Sequence, residues 1–279
     1  EAATTIEQLK SDCPNHPREY ESLLLLGDCL FAQNRFEDAI QRYQSIPSDI
    51  PELAHLAALQ SSDAYRELGR HDDALKVLRR RFEKTDNPYR AVEIQLNSAQ
   101  IQWEIKDRLG TIATLNATIE QHGDERNAEN LFDVLQMRHS LQAFDLDQSY
   151  RDAIESERLS LAARFGLLQT LELQNQDQPF RSKEIALKLA NEIPEESLPP
   201  ECLAHIGLEL VKLDFPNGET LLENLIESYP DSDYLSFAYF GFGQSEANSN
   251  HLDLALGWLR RIPESDFDSP IYIDALALE

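Results

Sequence analysis

Apolar residues recur every three or four positions along most of the chain, which is the spacing that places them on one face of an α-helix. The segment from Leu23 to Pro47 shows the pattern: an apolar helix, the polar turn AQNRF, and a second helix that opens with the acidic residues of EDAI. Acidic side chains stabilise a first helical turn because they face the positive end of the helix dipole. Proline ends the second helix because it lacks a backbone N–H and disfavours helical geometry in the residue before it. The pattern therefore predicts two antiparallel helices joined by a tight turn.

The same pattern returns near the other end of the chain, between Tyr239 and Pro263. Counted from Gly27 and from Gly243, equivalent residues follow at equal distances: Asn34 and Asn250, Ala39 and Ala255, Tyr43 and Leu259, Ile46 and Ile262, Pro47 and Pro263. Small residues suit positions where two helices cross closely, since a larger side chain would push the helices apart. The match predicts an internal repeat of helix pairs.

The first unit resembles the tetratricopeptide repeat at the positions that define that family: Leu26, Gly27, Ala39, Tyr43, Ile46 and Pro47. The resemblance implies an all-α fold, in which antiparallel helix pairs stack into a right-handed α-solenoid. We expect a single superhelix over residues 1–279. The sequence predicts clear repeats at about 20–50, 54–88 and 234–264, degenerate repeats over 91–233, and at 265–279 either the start of a further repeat or a capping helix.

One turn carries a narrower resemblance. Tyr229-Pro230-Asp231-Ser232 ends a second helix, and an aromatic-rich first helix follows directly. This arrangement resembles the repeats of two families of bacterial envelope proteins, the Tol-Pal-associated periplasmic coordinator and the helical lipoprotein of outer-membrane barrel assembly. The resemblance implies a non-catalytic scaffold in the periplasm or cell envelope, and a cytoplasmic location stays open.

The charge balance limits the partners of this protein. Its 25 Lys and Arg residues stand against 50 Asp and Glu residues, a formal net charge of -25. Nucleic acids and anionic lipid surfaces are bound by clustered basic residues, so we expect neither nucleic-acid binding nor direct membrane insertion. In agreement, no apolar run in the sequence approaches the length that spans a bilayer.

Motifs that carry catalysis or hold cofactors are absent from the sequence. The seven histidines never lie at the i, i+3 or i+4 spacing of a helical metal site, and the three cysteines form no CxxC pair. Glycine-rich phosphate loops and the GxSxG elbow of hydrolases do not occur either. Carboxylates are so abundant on these helices that no catalytic pair stands out. We therefore expect a protein that is not an enzyme and that binds no cofactor or metal.

Stacked helix pairs form a superhelix whose first helices line a concave groove, the usual binding surface of this architecture. Projecting the repeat onto the chain predicts these groove residues: Asp28, Phe31, Asp63, Arg66, Phe237, Phe240 and Gln244. Leu24 and Leu59 fall on the same face, and they either line the groove or pack between repeats. For Phe237 and Phe240, coverage by the next unit is the alternative to an open groove.

These groove residues predict an acidic and apolar N-terminal half and an aromatic C-terminal half. A protein or peptide segment with basic and apolar residues suits such a groove. Repeats that hold chaperone tails place Lys and Asn where this chain has Leu24 and Asp28. Since Asp28 would repel a terminal carboxylate, we do not expect chaperone-tail binding. The sequence leaves a second function open, a structural or regulatory subunit that self-associates through its terminal repeats.

Overall fold

In the computed structural model of this protein, residues 18–215, 217–263 and 275 are described, and within them the secondary structure is helical, without a β-strand. In chain order the α-helices are α1 (Glu19–Phe31), α2 (Phe36–Gln44), α3 (Pro51–Glu67), α4 (His71–Phe82), α5 (Pro88–Glu104), α6 (Arg108–His122), α7 (Asn130–Leu141), α8 (Leu146–Glu155), α9 (Leu159–Asn175), α10 (Pro179–Glu192), α11 (Pro200–Lys212), α12 (Asn217–Ser228), α13 (Leu235–Asn248) and α14 (Leu252–Leu259). A short 3₁₀ helix at Glu195–Ser197 precedes α11. Proline begins four of these helices, including α3 and α11, where its fixed φ is tolerated.

Consecutive helices pack in pairs, α1 on α2, α3 on α4, α5 on α6, α9 on α10, α11 on α12 and α13 on α14. This confirms the predicted all-α fold of helix pairs. By its internal contacts the chain divides into two compact units, Glu1–His122 and Gly123–Glu279. The single superhelix over residues 1–279 stays a prediction. The expectation for 265–279 lies outside the described residues, apart from Ala275.

The turns inside the helix pairs share one backbone conformation. A residue with positive φ follows the first helix at Asn34, Gly69 and Asn250, with φ of 59°, 68° and 62°. The next residue then donates its N–H back over the turn, as Arg35 N does to Leu30 O at 3.0 Å. Asparagine and glycine adopt this left-handed conformation at low cost, which explains why Asn34 and Asn250 stand in register. The same turn also occurs with Lys106, Asp177 and Asp214.

The two matched glycines lie where paired helices approach most closely. A Cβ added to Gly27 would lie inside the van der Waals radius of the Tyr43 ring, and one added to Gly243 would lie 2.7 Å from Leu259 Cδ2. Tyr43 and Leu259 are the equivalent residues of the two repeats, and both are buried. The equal spacing in the sequence therefore reflects the same contact between the paired helices, Gly27 with Tyr43 in one repeat and Gly243 with Leu259 in the other.

The pairing of consecutive helices changes at α9. Glu157 has a φ of 58° and joins α8 to α9, while Asp177 joins α9 to α10 in the same way. The left-handed turn that lies inside the other helix pairs thus occurs at both ends of α9, so that α9 forms one hairpin with α8 and another with α10.

A buried ion pair connects helices of the second unit. Arg164 on α9 donates from Nε to Glu201 Oε1 on α11 at 2.6 Å, and both side chains are fully buried. Its other nitrogens donate to the carbonyl oxygens of Gly123, Arg126 and Ala128, at 3.3, 3.1 and 3.3 Å. One guanidinium thus ties together two helices and the segment 123–129 that precedes α7.

The turn with the envelope-protein resemblance contacts the same segment. The Tyr229 hydroxyl donates to Asn127 Oδ1 at 3.0 Å, and the guanidinium of Arg126 lies over the Tyr229 ring at 5.2 Å. Ser232 is buried. The turn at 229–232 therefore has a packing role within its own unit.

Candidate partner-binding site

Three polar contacts join α3 to α5 in the first unit, and the partners in each are 38 residues apart. From one end of the helices to the other they are Glu52 with Arg90 at 2.9 Å, His55 with Glu93 at 2.6 Å, and Arg66 with Glu104. A constant separation means that the two first helices run side by side in one register over their length.

The last of these contacts lies in an open cleft. The cleft has a volume of about 490 Å³ and is lined by Phe31, Gln60, Asp63, Arg66, Glu67 and Glu104. Phe31 comes from α1, Glu104 from α5, and the other four residues from α3, so three successive first helices contribute. The structure thereby brings together three residues that the sequence predicted for the groove: Phe31, Asp63 and Arg66.

The cleft is acidic although it contains an arginine. Arg66 donates from Nη1 to Asp63 Oδ1 at 2.9 Å and from Nε to Glu104 Oε2 at 3.2 Å. Burial raises the pKa of Asp63, and this outweighs the opposing effect of Arg66. The hydrogen bond to Glu104 raises the pKa of Arg66. Since one guanidinium faces the carboxylates of Asp63, Glu67 and Glu104, the cleft keeps an excess of negative charge for a basic ligand group.

Asp28 lies on the same helix as Phe31 but does not line this cleft. Its Oδ1 accepts a hydrogen bond of 2.8 Å from the Tyr43 hydroxyl, which ties α1 to α2. Leu24 and Leu59 are partly buried and pack against the core of the first unit. Of the two interpretations of these leucines, the structure therefore shows packing.

The C-terminal residues predicted for the groove belong to the second unit. Phe240 is only 4% exposed and lies in a cluster with Leu208, Leu259 and Ile262. Phe237 is partly buried, and its ring lies 4.5 Å from that of His205. The ring of Phe240 is thus covered, which is the packing alternative stated for it above, and it offers no face to a partner.

Gln244 follows one turn later on the same helix α13 and is partly exposed. Its Oε1 atom is buried and has no hydrogen-bond partner among the residues that the structure describes. Phe237 and Gln244 are not among the residues that line the cavity of about 210 Å³ in this unit, whereas Phe31, Asp63 and Arg66 line one cleft together. The first unit is therefore the stronger candidate for partner binding.

Sequence reasoning missed Gln60, Glu67 and Glu104. Glu104 could have been found, because complementary charges recur at a separation of 38 residues in Glu52 with Arg90 and in Arg66 with Glu104. Searching for opposite charges at the repeat separation predicts which side chains meet across neighbouring first helices.

Metal ligands, membrane-spanning helices and free thiols are the features of the described residues that bear on enzymes and membrane proteins. Over residues 18–215 and 217–263, no three His, Cys, Asp or Glu side chains come together as metal ligands. No helix in this part of the chain combines the length and the apolar character that crossing a membrane requires. Cys29 and Cys202 are free thiols, and burial raises the pKa of Cys202 well above its usual value. Cys13 lies outside the described residues.

Comparison with known proteins bears on the fold. Residues 2–51 match the family model of the tetratricopeptide repeat. Among solved structures, the chain is similar to the complex of the TPR2AB domain of yeast Sti1 with a pHSP90 peptide, with 14% sequence identity, 94% of this chain and 96% of that chain covered, and a TM-score of 0.38. A search among curated proteins found no significant match. The predicted resemblance of the first repeat to the tetratricopeptide repeat is thus confirmed over residues 2–51, and that to envelope proteins stays a prediction.

Proposed function

We propose that this protein is a non-catalytic scaffold, which binds a segment of a partner protein along the first helices of its N-terminal unit. The observation that carries the proposal is the open cleft in which Phe31 adjoins the carboxylates of Asp63, Glu67 and Glu104. The similarity of residues 2–51 to a repeat family of interaction modules supports it. The cleft predicts a partner segment that alternates basic and apolar residues.

The ligand is bound by two kinds of contact in this proposal. A lysine or arginine of the partner lies against the carboxylates, and Arg66 holds Asp63 and Glu104 in place by three hydrogen bonds, one to Asp63 and two to Glu104. An apolar side chain of the partner packs on Phe31, whose ring is held edge-on by Phe36 at 5.2 Å. The carboxylates thus select charge and Phe31 supplies apolar contact.

The test is binding of a fluorescein-labelled peptide of repeated Lys-Leu-Ala units, followed by anisotropy. The variant Asp63→Asn, Glu67→Gln, Glu104→Gln removes the charge of the cleft. A matched variant, Glu37→Gln, Asp72→Asn, Glu83→Gln, removes the same charge from exposed positions on or next to the second helices. We expect the cleft variant to bind the peptide at least about tenfold more weakly and the matched variant to lose less than about threefold, since losing charge-assisted contacts costs more than losing distant charge. Equal losses in both variants would contradict the proposal.

A location in the bacterial cell envelope is part of this proposal and rests on the resemblance of residues 229–232 alone. Selective release of the periplasm followed by immunodetection tests it. Detection with cytoplasmic markers would reject the envelope assignment and leave the scaffold proposal intact.

Self-association is the second candidate function. Leu252 and Leu254 on α14 are 61% and 57% exposed, which is unusual for leucines so close together. A second copy of the chain would cover them. Light scattering of the wild type and of the double variant Leu252→Gln, Leu254→Gln tests this function. A wild-type dimer that the variant abolishes favours self-association, and a wild-type monomer rejects it.

A further inference from the structure

Basic residues are concentrated at the end of α4, in a chain with twice as many acidic as basic residues. Arg79, Arg80 and Arg81 form the last turn of that helix, and Lys84 follows it. In the described part of the chain, Arg80, Arg81 and Lys84 form no ion pair with a carboxylate. An acidic protein thus leaves these three basic side chains without a carboxylate partner within that part.

A cavity of about 400 Å³ lies beside this cluster, between α2, α3 and α4. Ala54, Ala57 and Ala58 of α3 form its floor, together with Ile46 and Val77. The side chains of Arg80, Arg81 and Lys84 line the same cavity. The site therefore combines an apolar floor with a cationic wall.

Arg81 is held in this wall by burial and by a hydrogen bond. Its side chain is only 6% exposed, and its Nη2 donates to the carbonyl oxygen of Pro51 at 2.9 Å. Its Nε is buried and has no acceptor among residues 18–215, 217–263 and 275. The carboxylate that acts on its charge is Glu52, which is itself hydrogen-bonded to Arg90.

A buried guanidinium of this kind has an unmet requirement for an anion. Burial lowers the pKa of Arg81, and the neighbouring charge of Arg90 lowers it further. Arginine nonetheless stays protonated in proteins, because its intrinsic pKa is so high. A buried cation without a counter-ion is unfavourable, so an anionic ligand group at this site would be bound with a free-energy gain.

This cavity is distinct from the acidic cleft. On α3 the cavity uses Ala54, Ala57 and Ala58, whereas the cleft uses Gln60 and Asp63. At about 100° of rotation per residue, these two sets lie on nearly opposite faces of the helix. The first unit thus presents acidic and basic sites on different faces.

We propose that this cavity binds the carboxylate side chain of an acidic and apolar peptide segment, with the carboxylate on Arg80, Arg81 and Lys84 and an apolar neighbour on the alanine floor. Arginine donors form a planar fork that matches a carboxylate. The apolar floor favours a peptide over a free anion. This inference does not depend on the proposed function of the cleft.

The test uses a fluorescein-labelled peptide of repeated Glu-Leu-Ala units and a neutral peptide of Gln-Leu-Ala units. The variant Arg80→Gln, Lys84→Gln removes two exposed charges of the wall and leaves Arg81 with its contact to Pro51. A double variant of equal charge, Lys76→Gln, Arg79→Gln, is the matched control, because these exposed residues of the same helix do not line the cavity.

We expect the acidic peptide to bind wild type and the control within about threefold of each other, and the Arg80, Lys84 variant at least about tenfold more weakly. The neutral peptide should bind more weakly than the acidic one. Equal weakening in both variants would show that binding follows net charge only, and would overturn the proposal. The cleft variant Asp63→Asn, Glu67→Gln, Glu104→Gln should keep its affinity for the acidic peptide, which separates failure of this inference from failure of the proposed function.

A second measurement observes Arg81 itself. In protein labelled with ¹⁵N at arginine, the Nε–H resonance of Arg81 should shift when the Glu-Leu-Ala peptide is added. Inorganic phosphate and single-stranded DNA are tested in the same way. Absence of a shift with the peptide, or tighter binding of either phosphate or DNA, would reject the carboxylate peptide as the ligand.

Discussion

Arginine and glutamate meet across neighbouring helices in both units, with opposite surroundings. In the N-terminal unit Arg66 is 27% exposed and its partner Glu104 is 38% exposed, at the edge of an open cleft. In the C-terminal unit Arg164 and Glu201 are both fully buried, and Arg164 also binds three backbone carbonyl oxygens. The same pair of residue types therefore lines an open cleft in one unit and forms a structural junction in the other.

The two pairs contain the same residue types, so it is their burial that distinguishes them. Water screens the charges of Arg66 and Glu104, so their contact contributes little stability and they remain available to a ligand. Arg164 has no contact with water, so its carbonyl and carboxylate partners are the sole compensation for its lost hydration.

The largest effect is expected from Arg164→Met. Removing one member of a buried ion pair leaves the other charge uncompensated, and we expect a loss of about 3–5 kcal/mol of unfolding free energy. The double variant Arg164→Met, Glu201→Leu should recover part of the loss, because it removes the orphaned carboxylate. Urea denaturation followed by circular dichroism measures both. If Arg164→Met lost less unfolding free energy than a surface substitution does, the buried junction would not be needed for stability.

The second prediction concerns the pH dependence of the unfolding free energy, which His205 contributes in the second unit. Burial, aided by Lys212, lowers the pKa of His205 from 6.5 to about 4, beside the ring of Phe237. A lowered folded-state pKa stabilises the fold above pH 6.5, and this contribution is lost as the pH falls from 6.5 towards 4. We expect up to about 3 kcal/mol to be lost over that window. His205→Phe should unfold with a smaller pH dependence, and an unchanged slope in that variant would contradict the assignment.

The third effect compares equivalent contacts of the two units. Gly27→Ala and Gly243→Ala should each cost about 1–3 kcal/mol, because the added methyl group collides with Tyr43 or Leu259. Gly257→Ala is the matched control, since its Cβ would meet no atom within 4 Å. It lies within α14 and should be neutral or stabilising by up to about 1 kcal/mol. Thermal unfolding of the three variants measures the difference, and similar melting temperatures would disprove close packing.

The smallest effect is expected from Arg66→Met, with a change of at most about 1 kcal/mol in unfolding free energy. Peptide binding should respond more strongly, because Asp63 and Glu104 lose the side chain that positions them. Denaturation and anisotropy on the same preparation compare the two effects. A loss of stability as large as that of Arg164→Met would remove the distinction between the units.

Sequence patterns were sufficient for the helix pairs and for part of the cleft. Register between Gly27 and Gly243 predicted the helix hairpins, and the projected face placed Phe31, Asp63 and Arg66 together. The same projection failed to distinguish an open position from a covered one at Phe240, since coverage depends on residues from α11, α14 and beyond. The groove as a whole, including Asp28, Phe237 and Gln244, stays a prediction until binding is measured.

The chain alone determined where helices begin, turn and cross, because these properties depend on local chemistry. Proline begins α3, asparagine permits the left-handed turn at Asn34, and glycine allows the approach of Tyr43. Tertiary structure decided which charges meet: Arg66 with Glu104, Arg164 with Glu201, and Arg81 with no carboxylate in the described chain. Packing brings together side chains tens of residues apart and sets how much water reaches each of them, and this access of water separates the buried pair of Arg164 and Glu201 from the partly exposed pair of Arg66 and Glu104.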